Sequence, residues 1–562
     1  MTRRDESADR RGFLKAASLA SVTALSGGLA RGQDEAGEAD DTITVASLIE
    51  AEKLSGVSFT DDERRQMLGS VRDQATAARE LHLPHPDAEG GTPPPHAIPA
   101  EQFDPRLPGT DVPPDARSPK WPRHEARDLP SSEEEIAFAS LADLSHWVKS
   151  RQITSVDLTD LYLRRLRRLD EDLECVITFC DERAQAAAKR ADAELGEGRW
   201  RGPLHGIPWG AKDLFDTDGI RTTWGAKPFE ERVPTRDATV VKRLDEAGAV
   251  LIAKLSMGAL AYGDQWYGGT TRNPFKVSQG SSGSSAGSAS ATVAGGVAFS
   301  LGTETYGSIG SPSARCGASG FRPTFGRVSR AGAMTLCWSL DKVGPICRSM
   351  DDCALVLDII AGYDEDDPST VSVPLNIDMQ APLRGLRVGV LGDAADDVVT
   401  TALLKQGAEM VPLEPPDGDF GGLIFLHIAV EAAAAFDELT RSDRDDLLAW
   451  QGDQAWPNTF RAARFVPAVQ YFQGRRRRRA LMIEAAQLFE GIDVIVDTRR
   501  RSNLTALTNL TGHPAATIRR GFRADGTPRA AHLWGRLYDD STLLNVAAAV
   551  ERDLGLLARR PS

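Results

Sequence analysis

The residues able to do chemistry are concentrated between His205 and Pro345. In Gly206-Ile207-Pro208-Trp209-Gly210-Ala211-Lys212-Asp213 a single lysine ends a run that carries no charge after His205. Burying an ammonium in such a run is costly, so the surroundings would lower the lysine's pKa, and a neutral amine can accept a proton. Further on, Gly280-Ser281-Ser282-Gly283-Ser284-Ser285-Ala286-Gly287-Ser288 leads into a small-residue helical stretch, Ala289 to Ala294. Taken alone, that loop reads equally well as a flexible linker. Gly283-Ser284-Ser285-Ala286-Gly287 also has the outline of a nucleophile elbow, but an elbow needs a buried strand directly before it, and Asn273 to Ser278 does not supply one. A second serine site follows the strand-like Val297 to Leu301, in Gly302-Thr303-Glu304-Thr305-Tyr306-Gly307-Ser308-Ile309-Gly310. A turn of this composition can aim successive backbone N–H groups into one concavity. That arrangement is what a tetrahedral oxyanion requires.

These segments need a scaffold, and from about Ser131 onward the texture is an alternation of helix and strand. Leu158, Leu161, Tyr162, Leu166 and Leu169 form an apolar helical stripe behind Ser155 as N-cap, and Asp181 to Leu195 reads as an alanine-rich helix stopped by Gly196. Between them Cys175 to Phe179 reads as a strand. Asp237 is placed to cap a helix that ends at Gly248 and delivers the apolar strand Val250 to Ala253. The rhythm continues through Val494-Ile495-Val496 to a hairpin signal at Asp525-Gly526. An α/β fold with a large, mixed and largely parallel sheet flanked by helices is the expectation.

Composition narrows the function classes. The 562 residues, 41% hydrophobic and 26% charged, leave ample length for a buried core. The formal charge is −14, and −17 once residues 1–32, with a net +3, are set aside, so a general polyanion binder is not expected and nucleic acid is not an anticipated partner. Six cysteines are too few for a disulfide scaffold, and no CxxC or Cys/His spacing points to zinc.

In combination, Gly206-Ile207-Pro208 with Lys212-Asp213, Arg272-Asn273-Pro274 before the Ser/Gly loop, the Gly-Thr-Glu-x-x-Gly-Ser run ending at Ser308, and Ser339-Leu340-Asp341-x-x-Gly344-Pro345 resemble the amidase signature family of serine hydrolases. Leu510-Thr511-Gly512-His513-Pro514-Ala515 and the Asp525-Gly526 hairpin are also similar to that family. The resemblance spans about residues 133–556. It implies a Ser–cis-Ser–Lys triad, with Ser308 as nucleophile, Ser284 as the bridging serine after a cis peptide bond at Gly283, and Lys212 as base. The backbone N–H groups of Thr305, Tyr306, Gly307 and Ser308 would form the oxyanion hole. It further implies a small-molecule amide substrate, no metal and no cofactor, Met257 near the acyl pocket (core filling being the alternative), Ser285 hydrogen-bonding beside the triad, and His205 in a structural role next to the lysine strand. The competing readings are an inactive amidase-fold binding protein and an amidotransferase A-type subunit.

Three positions depart from the family pattern: Glu304 replaces its Asp, Tyr306 its Gly and Gly310 its Arg. Arg315 is a candidate for the displaced cation, pairing with Glu304 or Asp341; the alternative is that the carboxylates find backbone N–H donors. The five arginines Arg475 to Arg479 read as a solvated helix face or, less simply, an anion site.

The N-terminal 132 residues lie outside the resemblance. Arg10-Arg11-Gly12-Phe13-Leu14-Lys15 before the charge-free run Ala16 to Ala30 resembles a twin-arginine export signal over residues 1–32, too short an apolar run for comfortable membrane spanning. It predicts a periplasmic or secreted protein without stable membrane insertion after cleavage; a homodimer is compatible with this. Residues 33–83 read as a short helical extension, with Ile43 to Leu54 one helix and Thr60-x-x-Glu63 a capping box before a second. From Pro84 to Pro130, thirteen of the 32 prolines fall within 47 residues, an arm or linker (84–132) that either wraps the surface or hangs loose. The amidase-like domain is expected over 133–556.

Overall fold

The computed structural model describes residues 42–55, 57–80, 103–106, 116–122, 124–392, 397–414, 418, 420–497 and 503–561. The expected export signal lies outside these residues. In chain order the strands are β1 (Val176–Phe179), β2 (Pro208–Lys212), β3 (Val250–Leu255), β4 (Gln265–Trp266), β5 (Gly269–Thr270), β6 (Arg272–Asn273), β7 (Lys276–Gly280), β8 (Phe299–Glu304), β9 (Ser319–Arg322), β10 (Lys342–Cys347), β11 (Arg387–Leu391), β12 (Glu409–Leu413), β13 (Val494–Asp497), β14 (Ala515–Phe522) and β15 (Pro528–Gly535). Eleven of them form one mixed sheet in the order β1-β3-β2-β8-β10-β9-β14-β15-β13-β11-β12. The parallel pairing that the βα rhythm predicts occurs in two stretches, β3-β2-β8 and β13-β11-β12. The strands joining them, and β1 at the edge, pair antiparallel.

Strands β2, β3, β8 and β10 are buried along their whole length, as strands covered on both faces must be. Helix Ala286–Val293 lies against β2, β3, β8 and β10, and every one of its residues is buried. Small side chains allow that close approach, and Ser288 Oγ donates directly to the Leu301 carbonyl of β8 at 3.0 Å. Helices Met350–Ile360 and Asp540–Leu554 pack on each other, the first against β9 and β10 and the second against β14 and β15.

Two cap expectations shift. The helix over Ser155–Leu173 is capped by Thr154, whose Oγ1 accepts from Asp157 N–H at 3.0 Å, while Ser155 Oγ is turned inward to the Gly206 carbonyl, 2.9 Å away. Helix Thr239–Glu246 begins after Ala238 with no side-chain cap, because Asp237 is paired with Arg183 at 2.8 Å.

The N-terminal helices Val45–Ser55 and Asp61–Glu80 form as expected, with Thr60 and Glu63 bonding reciprocally across the capping box. Leu48, Phe59, Met67 and Val71 pack with Ala462 of helix Trp456–Ala463, and Arg461 of that helix pairs with Glu63 at 2.8 Å. The described parts of the proline-rich arm are docked. Phe103 packs on Phe325 and Met482, Arg117 N–H donates to Asn376 Oδ1 at 2.8 Å, and the Arg127 carbonyl accepts from Trp147 Nε1 at 2.7 Å. No helix among the described residues is long and apolar enough to cross a membrane.

Candidate active site

Lys212 is the last residue of β2, and Glu304 the last of β8, two adjacent parallel strands. The carboxyl ends of neighbouring parallel strands are where α/β sheets place ligands, because the connecting loops diverge there. The Ser/Gly loop crosses above both ends. Lys212 Nζ is fully buried and lies 2.8 Å from Ser284 Oγ, 3.1 Å from Ser285 Oγ and 2.8 Å from Thr303 Oγ1. Burial brings the lysine down to about 7, against the opposing pull of Asp341 and Glu304. A large neutral fraction therefore exists near pH 7, as the sequence reasoning required.

The peptide bond Gly283–Ser284 is cis. Glycine is required at 283 by space alone, since a Cβ there would come 1.7 Å from the Gly263 carbonyl oxygen. Ser285 N–H donates to the Ser308 carbonyl at 3.2 Å, which ties the loop carrying Ser284 to the turn carrying Ser308. Ser308 itself is half-buried.

The turn after β8 begins later than the sequence suggests, because Gly302 to Glu304 belong to the strand. Gly307 has φ +85°, a conformation glycine takes without steric cost, and a Cβ there would meet nothing within 4 Å, so the turn opens onto free space. Glu304 anchors the turn from below. Its Oε2 accepts from Ile309 N–H at 2.9 Å and Gly310 N–H at 3.0 Å; its Oε1 accepts from Arg322 Nη1 at 2.6 Å and Asn509 Nδ2 at 3.0 Å. Burial alone would raise this carboxyl, but the Arg322 charge and the Gly310 and Asn509 hydrogen bonds outweigh it and hold it at about 2.

The cation paired with Glu304 is thus Arg322 of β9, not Arg315. A Cβ at Gly310 would sit 3.2 Å from Thr517 Oγ1, so the hairpin β14–β15 already occupies the ground beside that position. Arg315 instead lends its charge to Asp264, which in turn accepts from Ser282 N–H at 2.8 Å. Asp341 follows the backbone alternative: it accepts from Leu336 N–H at 2.8 Å, Cys337 N–H at 2.9 Å and Thr305 Oγ1 at 2.6 Å. Sequence reasoning missed Arg322, although it ends an uncharged run from Cys316 to Phe321 much as Lys212 ends its own. Thr303 and Asn509 carried no comparable signal.

Beside the turn lies a cavity of about 630 Å3 whose lining includes Thr303, Thr305, Leu336 and Asp341 together with Phe103, Trp338 and Tyr471. Met257 is fully buried and packs in the main hydrophobic core. Ser285 is turned toward Lys212. His205 is buried with Nε2 2.9 Å from the Ala191 carbonyl, a packing role consistent with expectation. The arginine run is not a solvated face: Arg475 and Arg478 are buried, and none of the five is exposed. All six cysteines are buried and unpaired. Among the described residues no His/Cys/Asp/Glu group is arranged to hold a metal ion.

A family model described as Amidase matches residues 157–497. The chain is 34% identical over 487 residues to the A subunit of a glutamyl-tRNA(Gln) amidotransferase from Anaeromyxobacter dehalogenans, a match covering 76% of this chain and 98% of the relative. The corresponding protein of Geobacillus stearothermophilus is 32% identical over 478 residues, covering 75% and 98%. Among solved structures, the peptide amidase of Stenotrophomonas maltophilia superposes with a TM-score of 0.67 at 29% identity, over 75% of this chain and 98% of that one. With a family model matching more than half of its length, the chain belongs to the amidase signature family of enzymes acting on carbon–nitrogen bonds.

Proposed function

We propose that this protein is an exported amidohydrolase that cleaves a linear carboxamide through an acyl-enzyme on Ser308. The observation that carries this reading is the 2.8 Å contact between the buried Lys212 Nζ and Ser284 Oγ, on the loop stitched to Ser308. In this scheme Ser308 Oγ attacks the carbonyl carbon while its proton passes to Ser284 and the Ser284 proton to Lys212. The oxyanion is met by the N–H groups of the turn over Thr305 to Ser308. Collapse breaks the C–N bond, with the proton returned by the same relay to the departing nitrogen. Water then attacks the ester under the same base, releasing the acid and restoring Ser308. All of the groups named belong to the chain itself.

The similarity to amidotransferase A subunits favours a second reading, in which the ammonia released from an amide is delivered to a partner. The twin-arginine pattern at Arg10-Arg11 argues for export and so against a role on charged tRNA. The deciding experiment incubates the purified chain alone with glutamine and with a panel of aliphatic, aryl and peptide amides, alongside labelling by a fluorophosphonate. Hydrolysis of a panel amide without any partner, with label on Ser308, supports the amidohydrolase. Activity on glutamine only, and only after the partner proteins of an amidotransferase are added, refutes it in favour of the second reading. No labelling and no hydrolysis refutes both.

A further inference from the structure

The cavity beside the proposed triad carries three cations among its described lining residues: Arg330, Lys342 and Arg475. Two have acceptors within the fold. Arg330 binds both oxygens of Asp367 and donates to Ser369 Oγ at 2.7 Å, and Lys342 donates to the Leu340 carbonyl. The neighbouring Arg478, outside the lining, is committed as well, to the Leu510 and Ser339 carbonyls at 2.6 and 2.7 Å and to the face of Phe103.

Arg475 differs. It is only 9% exposed, lies on helix Ala468–Leu488, and makes neither a hydrogen bond nor an ion pair among the described residues. The rings of Tyr471 and Phe472 each lie 5.9 Å from the guanidinium carbon, at the outer limit of a useful cation–π contact. Two such contacts offer the guanidinium no hydrogen-bond acceptor. Glu431, an acidic side chain of the same lining, is already taken by Ser339 N–H, Ser339 Oγ and Tyr471 OH at 2.9, 2.6 and 2.9 Å.

We infer that Arg475 is an anion-binding subsite of the substrate cavity, and that the preferred substrate is an amide carrying a carboxylate at a fixed distance from the scissile bond. This rests on the amidohydrolase reading above and on the cavity, whose lining includes Thr303 and Thr305 at the nucleophile turn, receiving the amide. The planar fork of arginine suits bidentate capture of a carboxylate. The unmet hydrogen-bonding capacity of the free enzyme is then completed by substrate, and neutral amides are discriminated against because they leave it unmet.

The test uses monoamides of α,ω-dicarboxylic acids of increasing length, each compared with the methyl-terminated amide of equal length. Wild-type kcat/KM should favour the carboxylate by about 10- to 100-fold at one chain length. Arg475→Met should bring that ratio to near one, and Arg475→Lys should restore it in part. Calorimetry of the same monoamides on Ser308→Ala, with and without Arg475→Met, reads binding independently of turnover. Absence of preference at every length, a preference that survives Arg475→Met, or no carboxylate-dependent binding to Ser308→Ala overturns the subsite. Hydrolysis of neutral amides with no such preference overturns the subsite alone, whereas binding without hydrolysis of any amide overturns the proposed reaction alone.

Discussion

Replacing Glu304 by Gln tests how the nucleophile turn is held. The carboxylate accepts four hydrogen bonds, two on each oxygen, and all four partners are donors. An amide has one oxygen, so in either orientation its NH2 group faces two donors, and the Arg322 charge loses its counter-ion. Glu304 is held at about 2 in the fold against an ordinary 4.5. At about 1.4 kcal/mol per pKa unit, ionised Glu304 contributes about 3 kcal/mol to stability. Because the folded value is the lower one, this contribution is complete above pH 4.5 and is lost as pH falls toward 2. Urea unfolding followed by tryptophan fluorescence from pH 7 to pH 3 should show Glu304→Gln less stable by about 3 kcal/mol at neutral pH, with the gap closing below pH 4.5. In the same variant kcat should fall about 10- to 100-fold with KM little changed, since Ser308 and the oxyanion donors are displaced while the cavity walls remain. A destabilisation below about 1 kcal/mol at pH 7, within the range of a neutral hydrogen bond, or one independent of pH, would refute the argument that this buried pair carries the turn.

Three further expectations concern the reaction and the route of the protein. Ser308→Ala and Lys212→Met should each remove nearly all turnover, with the double variant little worse than either, and additive losses in kcat/KM would break the relay. With Lys212 at about 7, kcat/KM for a neutral amide should rise about tenfold per pH unit on the acid side and level off above 7, because only the neutral amine accepts the proton; a flat profile from pH 5 to 9 assigns the base elsewhere. Replacing Arg10 and Arg11 by lysine should leave uncleaved protein in the cytoplasm on fractionation, and continued periplasmic recovery would reject the twin-arginine route.

Local chemistry made much of the site legible without coordinates. A lone lysine closing an apolar run can only end buried or break the run, and the structure buries it at the end of β2. The Ser/Gly loop and the Gly-Thr-Glu-x-x-Gly-Ser turn could likewise be read as a pair, because their backbone requirements are local: small residues where chains touch, and glycine where φ is positive. The capping box at Thr60 and the hairpin at Asp525-Gly526 are legible for the same reason. What required the tertiary structure were pairings across long separations. Arg322 reaches Glu304 because β9 and β8 both pair with β10, and Asn509 arrives from a helix about two hundred residues away. Neither spacing nor periodicity encodes such a meeting, so the sequence suggested Arg315 for a role that strand order assigned to Arg322. The arginine run misled in the same way. Five consecutive charges look solvated along one chain, but only packing against Ser339, Leu510 and Phe103 decides that Arg478 is buried and satisfied, while Arg475, also buried, has no acceptor among the described residues.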